Sequence, residues 1–387
     1  MCGCFFKKTS SHSPPDFFLV ELAKKIMHTI FRFFVKQMLF PLFSILLLSS
    51  CAKQVEKAPI IFYPPPPDQP KLQFLTSISS ETDLDIQTAS FENFLLGPDI
   101  SFSVIGRPYD VASSRGKIYV IDRQSGSILI TDLVEKKFLE MRTDRLGVLQ
   151  TPSGIWVSDD DIKYVADLTR RQVIVFDADN NFKKTYGSKE IFNKPVDVAV
   201  YKNRIYVCDM DKGQIFVLDK DSGELILTIG KKGVNAGELN RPTHITVDST
   251  GNIFVNDAFN FRVQQFDTEG KFIKIFGFHG SQMGGMARTK GVDIDRDGHL
   301  YVADAAFERV QIFNREGQLL LFFGGPGTGP GNLTLPAGIH IDYENVAFFD
   351  KFADKDFKLQ YLLYVCNMSG PNKINVYGFG EWTGEEQ

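Results

Sequence analysis

The sequence predicts an all-β fold: a six-bladed β-propeller of four-stranded antiparallel blades, closed by an N-terminal strand that completes the last blade. Three observations predict it. A phrase of about six residues recurs six times, as IYVID ending at Asp122, KYVAD at Asp167, IYVCD at Asp209, IFVND at Asp257, LYVAD at Asp304 and LYVCN at Asn367. Its aromatic members, Tyr119, Tyr164, Tyr206, Phe254, Tyr301 and Tyr364, lie 45, 42, 48, 47 and 63 residues apart, a period that suits one blade per copy around a ring. The segments between turns are short and rich in aromatic and β-branched residues, with no 3.6-residue period that would argue for helix.

The fourth repeat shows the strand order most cleanly. Residues 241–248 (RPTHITVD) alternate polar and apolar into a turn at Ser249, Thr250 and Gly251, a hairpin signal. NIFVND is the second strand and RVQQFD, residues 262–267, the third. Glu269 and Gly270 then turn the chain into a fourth strand, KFIKIFG. Such a sheet buries neither face alone. Six of them around an axis give every blade two neighbours to pack against.

Ring closure is legible from the chain ends. Residues 374–377 read as the third strand of the last blade, and the remaining GFGEWTGEEQ supplies no fourth. Residues 71–79 (KLQFLTSIS), ahead of the first blade, carry the missing alternation. Pairing them as the outermost strand of blade six removes the open edges of an incomplete ring.

The linker GKKGVNAGELNRP (residues 230–242), followed by DAFNFRVQQFD (257–267), resembles the NHL repeat, and the segments from Asp304 and over 324–336 repeat the match. The resemblance spans roughly residues 71–387 and implies a β-propeller. It thins in the first two blades, where Gly106-Arg107-Pro108 and Thr151-Pro152 keep only the start of the inner strand, and in blade five, where Thr289 replaces proline.

Upstream, residues 27–50 read as a signal peptide. Met27 opens a segment with Arg32 and Lys36, and MLFPLFSILLLSS then gives 13 residues too short to span a bilayer but suited to a secretory h-region. Leu48, Ser49, Ser50 and Cys51 resemble the lipobox of bacterial lipoproteins, which implies cleavage before Cys51 and a lipid anchor on its thiol. Residues 1–26 are read as an upstream extension. Residues 51–70 are expected to be a proline-rich tether: Pro64 to Pro67 favour polyproline II, and twenty residues at about 3.1 Å each would reach roughly 60 Å. Ala52 after the cysteine suggests the outer membrane facing the periplasm.

The chain carries 43 basic and 47 acidic residues, a net charge of −4, and six of the basic but two of the acidic ones fall in the leader. An acidic exported domain argues against nucleic acid as partner. Cys208 and Cys366 occupy equivalent positions in opposite blades, beyond disulfide reach, and read as small buried apolar residues. Asp293, Asp295, Asp297, Gly298 and Asp304 fit part of a calcium-loop pattern, yet the same residues are the inner hairpin of blade five, with Asp297-Gly298 as its turn.

Two surfaces remain as candidate sites. Around the axis the innermost strands place Asp110, Gly154, Asp197, His244, Gly291 and Gly338, with Trp156, Asp293 and His340 two residues further on. Asp110, Asp197, His244, Asp293 and His340 are candidate ligands for a divalent metal, although glycine at three of the first six positions leaves the ring incomplete. In blade six about seventeen extra residues (344–360) carry Phe348, Phe349, Phe352 and Phe357. Helical spacing of the first three predicts one apolar face, covering the propeller or docking a partner. No catalytic or cofactor-binding residue is assigned, since no nucleophile with a paired base can be placed. The reading is a membrane-tethered, non-enzymatic module that binds a protein or cell-envelope component. The alternative is a metal-dependent hydrolase or lyase at the channel mouth.

Overall fold

The computed structural model describes residues 24–30, 32, 60–80, 83 and 104–384. Cys51, Leu48, Ser49, Ser50 and most of the signal segment lie outside them. The chain divides into residues 1–58 and 59–387. In the first unit the described residues, 24–30 and 32, are helical. Among the described residues no helix is long and apolar enough to cross a membrane.

In the second unit six antiparallel sheets form the blades of a propeller. The innermost strands are Pro108–Ser114, Pro152–Val157, Pro195–Tyr201, Ile245–Val247, Thr289–Ile294 and Pro336–Asp342. Each pairs with a second strand bearing the repeated phrase: Lys117–Asp122, Lys163–Asp167, Arg204–Asp209, Ile253–Asp257, Leu300–Asp304 and Phe357–Asn367. These second strands are buried on both faces, because each sheet is covered by a neighbour on either side; Ile205, Tyr206, Val207 and Cys208 are all fully enclosed. That is why the phrase is apolar at consecutive positions rather than alternating.

The acid that ends each phrase holds the blade's turns. Asp209 accepts backbone N–H bonds from Asn193 (2.7 Å) and Lys194 (2.9 Å) in the incoming linker, and from Asp211 (3.1 Å) and Lys212 (3.0 Å) in the next turn. Asp167 and Asp304 each take the same four positions, and Asp122 three of them. Asn367, with one acceptor and one donor, receives Thr334 N–H and gives its amide to Asn372 O. Both turns lie at one end of the blade, so these residues pin that whole end of the ring.

Blade six closes as the sequence predicts. Leu72–Ile78 pairs antiparallel with Ile374–Trp382, from Leu72 opposite Phe379 to Ile78 opposite Ile374. Phe74 packs edge-on against Tyr377 at 5.6 Å. The third strand runs on to Trp382 instead of stopping at Tyr377, since the longer second strand gives it partners as far as Phe357.

The expected tether over 51–70 needs correction. Ile61–Tyr63 forms a fifth strand on blade six, paired with Leu72–Phe74, and Pro64 to Pro67 lie in the turn between them, not in an extended spacer. Aromatic contacts explain the difference. Tyr63 meets Phe323 at 5.9 Å and Tyr377 at 6.2 Å, while Phe62 meets Trp382 at 5.6 Å.

The insertion also departs from expectation. A turn of helix at Val346–Phe349 runs into a 3-10 turn at Asp350–Phe352, but its inward face is Phe349 with Phe352, not Phe348. Phe349 is fully buried against Tyr364, and Phe357, already in the second strand, is buried against Phe62. Phe349 and Phe357 therefore belong to the core and offer nothing to a docking partner. Phe352 is half-buried and Phe348 is 38% exposed. The covering role is the one this packing fits.

Cys208 and Cys366 are buried and unbonded. Burial pushes both thiols well up from their ordinary range, as expected of packing residues. The calcium-like residues separate to opposite ends of their hairpin: Gly298 donates to Asp295 O in the turn, whereas Asp304 binds the linker at Ala287 and Arg288.

Candidate functional site

At the axis the three carboxylates join blades in pairs. Asp110 of blade one accepts Ile155 N–H of blade two at 2.9 Å. Asp197 of blade three accepts Ile245 N–H of blade four, and Asp293 of blade five accepts Ile341 N–H of blade six, each also at 2.9 Å. The second oxygen of Asp197 takes Val198 N–H, and that of Asp293 takes Thr246 Oγ1 and Ile294 N–H. His340 reaches Ser113 Oγ through Nε2 at 3.0 Å and lies 3.5 Å from Asp293 through Nδ1.

The axial glycines are the counterpart of these carboxylates. A Cβ on Gly154 would sit 2.2 Å from Asp197 Oδ1, and one on Gly338 would sit 2.5 Å from Asp110 Oδ1. A Cβ on Gly291 would sit 2.4 Å from the Ala337 carbonyl oxygen. Asp110 and Asp197 therefore stand where the preceding blade's innermost strand has no side chain.

Burial sets the protonation of this ring. The Asp110 carboxyl is pushed up to about 7 by desolvation, with Asp293 adding to the effect and its backbone hydrogen bonds opposing it. Desolvation and the nearby Asp110 raise Asp197 well above the carboxylate range. His340 moves the other way round: burial alone would lower it, but Asp293 raises it overall. His244 is pushed down to about 3 by burial and by the cations Lys290 and Arg123, so its imidazole is neutral at physiological pH. Both of its ring nitrogens are buried without a hydrogen-bond partner among the described residues. Among the described residues no three His, Cys, Asp or Glu side chains gather into a metal-binding group. The five sequence candidates are thus all at the axis, but their carboxylate oxygens serve the neighbouring strands.

The face that carries the inter-blade linkers has a different character. Arg107, Arg123, Lys194, Arg241, Arg288 and Lys290 come to it from four blades, and none has an acidic ion-pair partner among the described residues. Arg123 lies 3.2 Å above the Tyr109 ring, whose centroid is 5.9 Å from that of His244. Between blades four and five opens a cavity of about 380 Å³, lined by Arg241, Phe259, Phe261, Arg288, Thr289 and Lys290 among others. Sequence reasoning looked down the axis and missed it. The signal available was the run Ala287-Arg288-Thr289-Lys290, where blade five alone has threonine in place of the proline that opens the other innermost strands.

The comparisons agree with this architecture. A family model described as a 6-bladed beta-propeller matches residues 188–279. Protein lin-41 of Caenorhabditis elegans, an NHL-repeat protein, is 54% identical over 48 residues, which is 12% of this chain and 4% of that protein's length. Among solved structures, an auxiliary nutrient binding protein from Bacteroides ovatus aligns with a TM-score of 0.51 and 14% identity, covering 71% of this chain and 69% of the other. Virginiamycin B lyase from Staphylococcus aureus, in a catalytically inactive form with quinupristin, aligns at 0.50 and 14%, covering 71% and 96%. At that identity the structures share a fold. With its repeat phrase, its six sheets and these matches, the chain is a six-bladed β-propeller whose repeats are similar to the NHL repeat.

Proposed function

We propose that this propeller is a non-enzymatic binding module, exported and tethered by a lipid on Cys51 to a membrane surface, that recognises a protein or cell-envelope component through its linker face. The observation that carries the reading is the use of the axial acids. Asp110, Asp197 and Asp293 are each bonded to the next blade's backbone, so they act as fasteners between sheets, while the linker face presents cations without an acidic partner among the described residues beside aromatic rings such as Phe259. Loops on a rigid scaffold are where recognition concentrates. For the anchor, the lipobox-like Leu48-Ser49-Ser50-Cys51 after 13 apolar residues is the support.

Two measurements test the parts separately. Crosslinking and capture from intact cells is expected to recover a discrete envelope partner, lost in an Arg107→Gln, Arg123→Gln double variant. Capture that is unaffected by those changes, or a hydrolase or lyase activity abolished by Asp197→Ala in a protein of unchanged melting temperature, overturns the binding reading. Metabolic labelling with palmitate is expected to mark the wild type and not Cys51→Ser; equal labelling removes the anchor.

A further inference from the structure

The cavity between blades four and five combines features that the fold does not need. Arg288 ends the linker and Lys290 stands two residues on, in the innermost strand of blade five, and neither has an acidic partner among the described residues. Burial, together with the neighbouring Arg288 and Arg123, pushes the Lys290 ammonium down to about 8, so the site accumulates positive charge at a cost to the empty protein. Thr289 lines the same cavity with only 1% of its surface exposed, and its Oγ1 has no hydrogen-bond partner among the described residues. Buried hydroxyls are ordinarily satisfied, so an idle one beside unpaired cations marks a place for an acceptor. Aromatic rings line the cavity too: Phe259 is 58% exposed beneath the Arg241 guanidinium at 5.2 Å, and Phe261 stacks on His279 at 4.1 Å.

We propose that this cavity binds a small organic anion, a carboxylate or phosphate monoester held by Lys290, Arg288 and Thr289 Oγ1, with an apolar or aromatic body lying against Phe259 and Phe261. The charged and aromatic linings divide the recognition. Charge-assisted hydrogen bonds fix the acid group, and the rings select what it is attached to. The volume, about 380 Å³, is that of a metabolite-sized ligand and too small to enclose a macromolecule. The inference rests on the reading of the linker face as a recognition surface and names a ligand class for one part of it.

Isothermal titration of the full chain in detergent tests it, with phenyl phosphate, phenylacetate, inorganic phosphate and benzyl alcohol as probes. Both aromatic anions are expected to saturate one site, inorganic phosphate to bind more weakly, and benzyl alcohol not to bind. Lys290→Gln is expected to weaken both aromatic anions by about tenfold or more, the loss of one charged hydrogen bond. Its melting temperature should hold or rise, since a repulsive buried charge is removed. Phe259→Ala, at an exposed position, should narrow the gap between phenyl phosphate and inorganic phosphate and leave the latter unchanged. Failure of either aromatic anion to saturate, equal binding by folded Lys290→Gln, or benzyl alcohol binding as well as the anions overturns the proposal. So does uridylate oligomer binding reduced equally by Arg107→Gln and Lys290→Gln, which would assign the face to a polyanion. If the anions do not bind while partner capture still depends on Arg107 and Arg123, this inference falls and the wider binding reading stands.

Discussion

At the scale of the residue, the repeated phrase is preserved in kind because of what its last member does. A carboxylate that accepts four backbone N–H bonds gathers two turns with one side chain, and alanine in its place would strand those donors. Asp209→Ala is expected to cost about 3 kcal/mol, read as a shift in urea midpoint, with Asp209→Asn intermediate because the amide accepts fewer bonds. The axial acids and His244 give opposite pH signatures. Asp110 is raised to about 7 from an ordinary 3.8, so the folded state holds a proton that the unfolded state releases, and its contribution is lost as pH rises from about 4 to 7. His244 is lowered to about 3 from 6.5, so the unfolded state takes the proton first and stability is lost as pH falls from 6.5 toward 3. In thermal melts across pH 3 to 8, Asp110→Asn should flatten the first trend and His244→Gln the second. A variant that leaves its slope unchanged would refute that assignment.

At the scale of the element, the blade-six insertion separates what reads alike in sequence. Phe349 is enclosed against Tyr364 and Phe352, so Phe349→Ala should cost about 3 to 5 kcal/mol in chemical denaturation. Phe348→Ala, one residue away, should stay within about 0.5 kcal/mol. The helical period marked an apolar face but not which phenylalanine pointed inward, because one helical turn passing into a 3-10 turn shifts the face by a residue. The four-strand order of the blades, by contrast, was legible, since turn chemistry and the aromatic phrase agree in the repeats, although strand ends shifted by several residues. The short strand Ile61–Tyr63 was hidden by the prolines beside it. Those prolines stiffen a turn, and only the rings of Phe323, Tyr377 and Trp382, about 260 to 320 residues away, decide that the segment folds back. The axial site was legible as positions but not as chemistry. Nothing in a run such as Val196-Asp197-Val198 says that the oxygen will meet a neighbouring blade's N–H rather than a metal.

At the scale of the whole molecule, the ring depends on one seam. Removing residues up to 78 strips blade six of its two outer strands and bares the edge of Ile374–Trp382, burying Tyr377 no longer. The shortened protein is expected to melt at a lower temperature and to form dimers or larger species in light scattering, as unpaired edges recruit partners. A peptide of residues 60–80 added in excess should restore both properties. A monomer of unchanged melting temperature would show the seam to be dispensable. The same seam bears on the proposed anchor: were Cys51 lipidated, residues 52–59 would be the only chain between it and Ile60, which leads into the folded strand at 61–63, about 28 Å when fully drawn out.

The seam also imposes a schedule on biosynthesis. Its first strand leaves the ribosome about three hundred residues ahead of its second. At roughly 5 to 20 residues per second, the early strand waits some fifteen seconds to a minute for its mate. Until then the early strand has no mate, and its unpaired edge is a place where other chains could add.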